Sequence, residues 1–172
     1  CVLSRTTTLL ITVCLQTADD EWAALTLSIG DCRAYVLTPK ASVALNGKSR
    51  SCGKTTDCGS MIGFAKGKAP LLSSVELRYR KVDEGAVVLA FSDGFSDNLD
   101  PSVCRVSTRA ESYFNEIVGT LYERAANIVD FLELLSDHIV HITETHRSAH
   151  LRRNFHRSVI DALPGKLDHA TA

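Results

Sequence analysis

An apolar run from Val87 to Phe91 ends abruptly at Ser92-Asp93-Gly94, and Asp97 and Asp100 follow within a few residues. A buried strand that carries a carboxylate to its tip, followed by a glycine and a second carboxylate, can build a site for a hard cation. Carboxylate oxygens suit Mg²⁺ and Mn²⁺, and a strand end gives a ligand little freedom to wander. Asp and Gly are also common turn formers, and spacing alone favours a strand followed by a polar turn. The rest of the chain decides between these.

Other residues with chemical potential point nowhere as specific. Six cysteines stand at positions 1, 14, 32, 52, 58 and 104, and their spacings fit no zinc pattern. No arginine follows Cys52 or Cys58 at the distance a cysteine-based phosphatase loop needs. Cys14 and Cys32 fall in apolar, strand-like runs, where a reduced thiol acts as a small hydrophobe, which suits an intracellular, reducing compartment. Histidines cluster late, at 138, 141, 146, 150 and 156. His146 and His150 share one face of a helix, but Arg147 stands where a metalloprotease would need glutamate, so a solvated helix is expected. His138 and His141 are expected to be exposed near a helix end. Gly63 to Lys68 lacks the arrangement of a nucleotide-binding loop.

The elements that must position the acidic residues follow from periodicity. Thr6–Leu15, Trp22–Ile29 and Arg33–Leu37 read as strands, the last two joined by a hairpin-like turn at Gly30-Asp31-Cys32. Positions 39 to 68 read as a long polar connection. Between Val75 and Val82, Val75, Leu77 and Tyr79 alternate with Glu76, Arg78 and Arg80, which predicts a strand with its apolar side buried. Asp83-Glu84-Gly85 turns into a strand over Ala86–Phe91. From Tyr113 to Leu135 the apolar spacing is helical, giving one long or two consecutive helices, and another is expected over Leu151–Leu163. Strands, then helices, then a return toward strand give an α+β class with a largely antiparallel sheet.

Composition sets outer bounds. The 172 residues suffice for one domain, with 45% hydrophobic and 23% charged residues and a formal net charge of −1. That balance gives no electrostatic footprint for nucleic acid and no polybasic membrane patch. Apolar runs are too short for membrane insertion. There is no internal repeat or heptad pattern, and nothing sets an oligomeric state. The chain opens on Cys1 rather than methionine, and missing flanks are expected at the N-terminus and at the C-terminus.

Four segments in order carry a resemblance: Thr6-Thr7-Thr8 entering an apolar strand; Gly30-Asp31-Cys32-Arg33-Ala34-Tyr35-Val36-Leu37; Ser92-Asp93-Gly94-Phe95-Ser96-Asp97-Asn98; and Gly165-Lys166-Leu167-Asp168-His169-Ala170-Thr171. Together they resemble the second part of a metal-dependent serine/threonine protein phosphatase of the PPM (type-2C) family. The Asp97-Asn98 pair is similar to the mitochondrial-type subgroup. The resemblance spans nearly the whole chain and implies one partial domain over residues 1–172, a sandwich of two antiparallel sheets flanked by helices.

It also implies chemistry: phosphoserine and phosphothreonine in a protein substrate hydrolysed through a metal-bridged water. Asp93 and Asp168 would be catalytic metal ligands. Asp31 and Asp97, with Asp93, would form an additional metal site, and Gly94 would let the backbone pass close to the ions. Two Mg²⁺ or Mn²⁺ ions, or three, are implied for a complete domain, and a cytoplasmic or mitochondrial location. Arg33 is expected to be structural. Further ligands, a phosphate-binding arginine and an Asp-Gly-His-Gly segment are expected ahead of Cys1, so the fragment by itself is expected to have little or no activity. Three positions depart from the family pattern: Arg5 for glycine, Cys32 for serine, and His169 for asparagine or aspartate. A non-catalytic binding or regulatory domain on the same fold is the alternative, and an unrelated α+β interaction domain with an accidental acidic turn comes after it.

Overall fold

The computed structural model describes residues 5–18, 20–38, 42–47, 60–64, 75–106 and 110–151. Asp168, His169, Cys52, Cys58, His156 and the helix expected over Leu151–Leu163, apart from Leu151 itself, lie outside the described residues. The chain divides into two compact units, Cys1–Ser92 and Asp93–Ala172.

Among the described residues, the regular structure of the first unit is all β. Strands β1 (Arg5–Thr7), β2 (Leu9–Gln16), β3 (Trp22–Ile29), β4 (Arg33–Leu37), β5 (Ser42–Ala44), β6 (Ile62–Phe64), β7 (Glu76–Val82) and β8 (Val87–Phe91) form three antiparallel sheets. Their orders are β2-β3-β7, β5-β4-β8 and the pair β1-β6. The two larger sheets pack face to face, with Ala24 of β3 meeting Ala34 and Val36 of β4, and with Leu10, Val82 and Val88 closing around them. Small side chains at Ala24, Thr26 and Ser28 line the inward side of β3 and are all buried, which lets the second sheet approach closely. Thr12 and Thr26 satisfy each other across that face at 3.2 Å.

The turn at Gly30-Asp31-Cys32 is not a hairpin. β3 pairs with β2 and β7, whereas β4 pairs with β5 and β8, so the turn carries the chain from one sheet to the other. A hairpin instead joins β2 to β3, where Thr17 N donates to Glu21 O at 2.7 Å and Asp20 takes a left-handed φ of 57°. The expected strand Thr6–Leu15 is likewise two strands. Its first part pairs with β6 and its second with β3, and the change of partner falls at Thr8. The connection expected to be all loop contributes β5 and β6, two three-residue strands too short to leave a period in the sequence.

The apolar side expected to be buried on β7 is exposed, with Leu77 at 64% and Tyr79 at 58%. Opposite Ala24, Thr26 and Ser28 in the register stand Arg80, Arg78 and Glu76, so the charged side of β7 lies on the sandwich side of the sheet and the apolar side faces outward.

The second unit is helical. It begins with α1 (Asp93–Ser96), a 3₁₀ turn (Asp97–Leu99) and α2 (Pro101–Cys104), then α3 (Ala110–Arg124) and α4 (Ile128–Leu151). The expected helical run is thus two helices. Asn127 caps the second: its Oδ1 accepts from Val129 N and Asp130 N, while Asp130 Oδ2 accepts from Ala126 N. Helices α3 and α4 pack together, with Tyr122 edge-on to Phe131 at 5.4 Å between ring centroids. Phe131, Leu135 and Val118 are fully buried. Because α4 runs on to Leu151, His138 and His141 lie in its interior rather than near its end, with His138 half-buried and His141 exposed.

Candidate functional site

Asp31 sits in the crossover turn between β3 and β4 and is 9% exposed. The turn is held by shape and by hydrogen bonds. Gly30 has φ +109°, and a Cβ there would stand 2.3 Å from Thr8 Cγ2 and 3.2 Å from Ser60 O, so only glycine lets the chain pass. Thr8 Oγ1 lies 3.4 Å from Cys32 Sγ. Beyond Asp31, buried Asn46 clamps the start of β4: its Oδ1 accepts from Ala34 N at 2.9 Å and its Nδ2 donates to Cys32 O at 2.8 Å. Sequence reasoning missed Asn46, since one asparagine in a polar stretch gives no signal; only its burial marks it.

Arg33 follows the turn. Its guanidinium carbon lies 5.7 Å from the centre of the Tyr35 ring, a stacking role that agrees with the structural part expected of it. Across the first unit, burial pushes the Glu76 carboxyl up. The Gly47 amide, Arg78 and Arg33 outweigh that and hold it below the usual carboxylate range. Gly47 N donates to Glu76 Oε2 at 2.7 Å, which ties the end of β5 to β7.

Asp93 follows β8, whose Phe91 is buried, and opens α1 rather than a loose turn. The apolar residues Phe95 and Leu99 bury the segment, and Asp97 is 6% exposed within it. Asn98, almost wholly buried, donates from Nδ2 to Gly94 O at 2.7 Å and so fixes the backbone between Asp93 and Asp97. Asp100 caps α2 by accepting from Ser102 N at 2.9 Å. Cys104 Sγ donates to Asn98 O at 3.1 Å. Burial pushes the Cys104 thiol up, and burial with Cys104 as neighbour pushes Tyr113 up to about 12, so both stay protonated and structural near neutral pH. Gly94 is buried inside α1.

β4 pairs antiparallel with β8, and Arg33 stands opposite Phe91. Asp31 lies two residues ahead of that pair and Asp93 two residues beyond it. Hard oxygen donors are the right type for Mg²⁺ or Mn²⁺. Among the described residues, however, no group of three or more His, Cys, Asp or Glu side chains is gathered closely enough to hold a metal ion. Asp168, the partner expected for Asp93, lies outside the described residues. Cys14, Cys32 and Cys104 are free thiols; Cys14 is exposed, Cys32 half-buried and Cys104 buried.

No family model matches the chain. It is 29% identical over 102 residues to a PP2C-like domain-containing protein of Drosophila melanogaster, an alignment covering 57% of this chain and 14% of that protein. The X-ray structure of the photosystem II phosphatase PBCP superposes with a TM-score of 0.64 at 13% identity, over 97% of this chain and 62% of that one. The chain therefore spans less than two thirds of either protein's length. No described helix is long and apolar enough to cross a membrane. The structural likeness establishes the architecture: an α+β sandwich of two antiparallel sheets flanked by helices, the fold of PP2C-like phosphatases.

Proposed function

We propose that these residues are the second part of a metal-dependent protein phosphatase domain acting on phosphoserine and phosphothreonine in an intracellular, cytoplasmic or mitochondrial, setting. The observation that carries the reading is Asp93, a carboxylate set just past the end of β8, a strand that buries Leu89 and Phe91, in a chain with this fold. Asp93 and Asp168 would hold the catalytic ions, with Asp31 and Asp97 at an additional site. Divalent cations, when bound, would supply Lewis acidity toward phosphoryl oxygens and acidify a water. The chain's own part is to hold its carboxylates still. Asn98 fixes the backbone behind Asp93, and Gly30 with Asn46 fixes the turn that carries Asp31.

The departures from the family pattern at Arg5, Cys32 and His169 support, as a second reading, a non-catalytic regulatory domain on the same fold. A Mn²⁺ titration by calorimetry separates the two. In the full-length polypeptide, binding that vanishes in Asp93→Ala, together with Mn²⁺-dependent release of phosphate from a phosphothreonine peptide, supports the enzyme. Binding without turnover supports the regulatory domain. No binding in the parent rejects the metal site.

A further inference from the structure

The turn that carries Asp31 is held on both flanks, and Glu76 takes part on each. On the β3 flank, Glu76 makes the last pair of the β3–β7 ladder, opposite Ser28, three residues ahead of Asp31. On the β4 flank its carboxylate reaches across to the other sheet, where Oε2 accepts from Gly47 N. Gly47 follows Asn46, whose side chain bonds Cys32 O and Ala34 N on either side of Arg33. The approach is close: a Cβ on Gly47 would stand 3.1 Å from Glu76 Oε1 and 3.3 Å from Oε2. Arg78 Nε donates to Oε1 at 2.5 Å and fixes the other oxygen, and the Arg33 guanidinium attracts the same charge. Only 22% of the Glu76 side chain is exposed, so its charge-assisted bond to Gly47 is partly shielded from water.

We infer that Glu76 is a positioning residue for Asp31: by bonding Gly47 N it sets Asn46, and through Asn46 the Cys32–Ala34 backbone that fixes where Asp31 presents its carboxylate to a divalent cation. The inference rests on the reading of Asp31 as a metal ligand. Groups that orient a ligand from outside the coordination sphere tune metal affinity, because a ligand held in place loses less freedom when the ion binds. A tie that served only to join the two sheets would contribute to stability and leave metal affinity alone.

Mn²⁺ titration of the full-length polypeptide by calorimetry, in a double-mutant cycle with Asp31→Asn, tests this. Glu76→Leu removes both acceptor oxygens. It is expected to weaken several-fold the component of Mn²⁺ binding that Asp31→Asn removes, and to have no further effect in the Asp31→Asn background. Glu76→Gln keeps an oxygen that can accept from Gly47 N and is expected to recover part of the affinity. In the metal-free polypeptide, the Ala34 amide hydrogen, which is bonded to Asn46, is expected to exchange faster in Glu76→Leu than in the parent. Asp31-dependent binding that is as tight in Glu76→Leu as in the parent overturns the inference and leaves Asp31 a ligand, even where the melting temperature falls. Equal weakening with and without the Asp31 carboxylate also overturns it. Mn²⁺ binding that Asp31→Asn itself leaves unchanged overturns the reading of Asp31, and the inference with it.

Discussion

Arg33 stands opposite Phe91 as the last pair of the ladder between β4 and β8. An antiparallel pair puts the start of one strand and the end of the other at a single edge. Asp31, two residues before Arg33, and Ser92, the residue after Phe91, therefore flank one end of one ladder although 61 positions separate them (92 − 31). Neither Asp31 nor Asp93 is a passive turn residue of the kind that spacing alone allows. Asp31 sits in a glycine-enforced crossover, and Asp93 opens a helical turn whose backbone Asn98 pins.

The first prediction concerns Asp93. In the full-length polypeptide, Asp93→Asn removes one anionic oxygen while keeping shape. Loss of a group supporting a metal ligand commonly lowers metal affinity by about 10–100-fold, and loss of a direct ligand should cost at least that much. Calorimetric titration with Mn²⁺ reads the effect, and an affinity unchanged from the parent would remove Asp93 from the ligand set.

Asn46 should matter to stability more than its surroundings in the sequence suggest. Its amide bonds both Ala34 N and Cys32 O, and it is buried. Asn46→Ala leaves a buried backbone donor and acceptor unmatched, and each unmatched group costs about 1–3 kcal/mol. Urea unfolding of the variant should show a midpoint shifted down with little change in slope. A midpoint equal to that of the parent would mean that water or a neighbouring group replaces the amide.

Much of this was legible in the sequence, for physical reasons that differ by element. Trp22–Ile29 and Arg33–Leu37 were read at their observed bounds because a long apolar or alternating run is a strong signal. The α+β class and the helical second half followed from the order of periods, whereas the two-sheet sandwich was implied by the resemblance alone. The partnering of strands did not. Gly30-Asp31-Cys32 looks like a hairpin because local chemistry specifies a tight turn but not whether the next strand lies beside or across from the last. Tyr79 and Leu77 were expected inside because alternation reports which residues share a side of the strand, not which side the sheet buries. Asn46 and Asn98 act through burial, which no local pattern encodes. Asp168 lies outside the described residues, so its part in the site rests on resemblance alone.

Gly30→Ala tests whether the crossover is as constrained as its geometry indicates. A φ of +109° is unfavourable for any residue with a Cβ, and the new methyl would collide with Thr8 Cβ at 2.6 Å as well as with Cγ2. Strain in such backbone regions is worth about 1–3 kcal/mol, before the collision is added. Thermal unfolding should show a lowered midpoint, and Gly30→Ala combined with Thr8→Ser, which removes Cγ2, should recover part of the loss. Equal losses in the single and double variants would clear Cγ2 and leave backbone strain and the contact with Cβ of residue 8 as the cause.

His138 makes stability depend on pH. It is half-buried on α4, its Nε2 has no hydrogen-bond partner among the described residues, and burial, with a smaller push from His141, holds its imidazole below the ordinary value of 6.5. The unfolded chain therefore takes up this proton at a higher pH than the folded chain does. Between the two values the unfolded state binds more protons, so stability rises with pH there. The contribution is fully present above the ordinary histidine value and is lost progressively as pH falls from that value through the lower one of the folded state. His138→Leu removes the titration and keeps an apolar side chain in its place. Unfolding by urea, followed at pH values on both sides of the histidine range, should show the variant gaining on the parent as pH falls. A difference between the two that stays constant with pH would mean that His138 meets water freely in the folded chain.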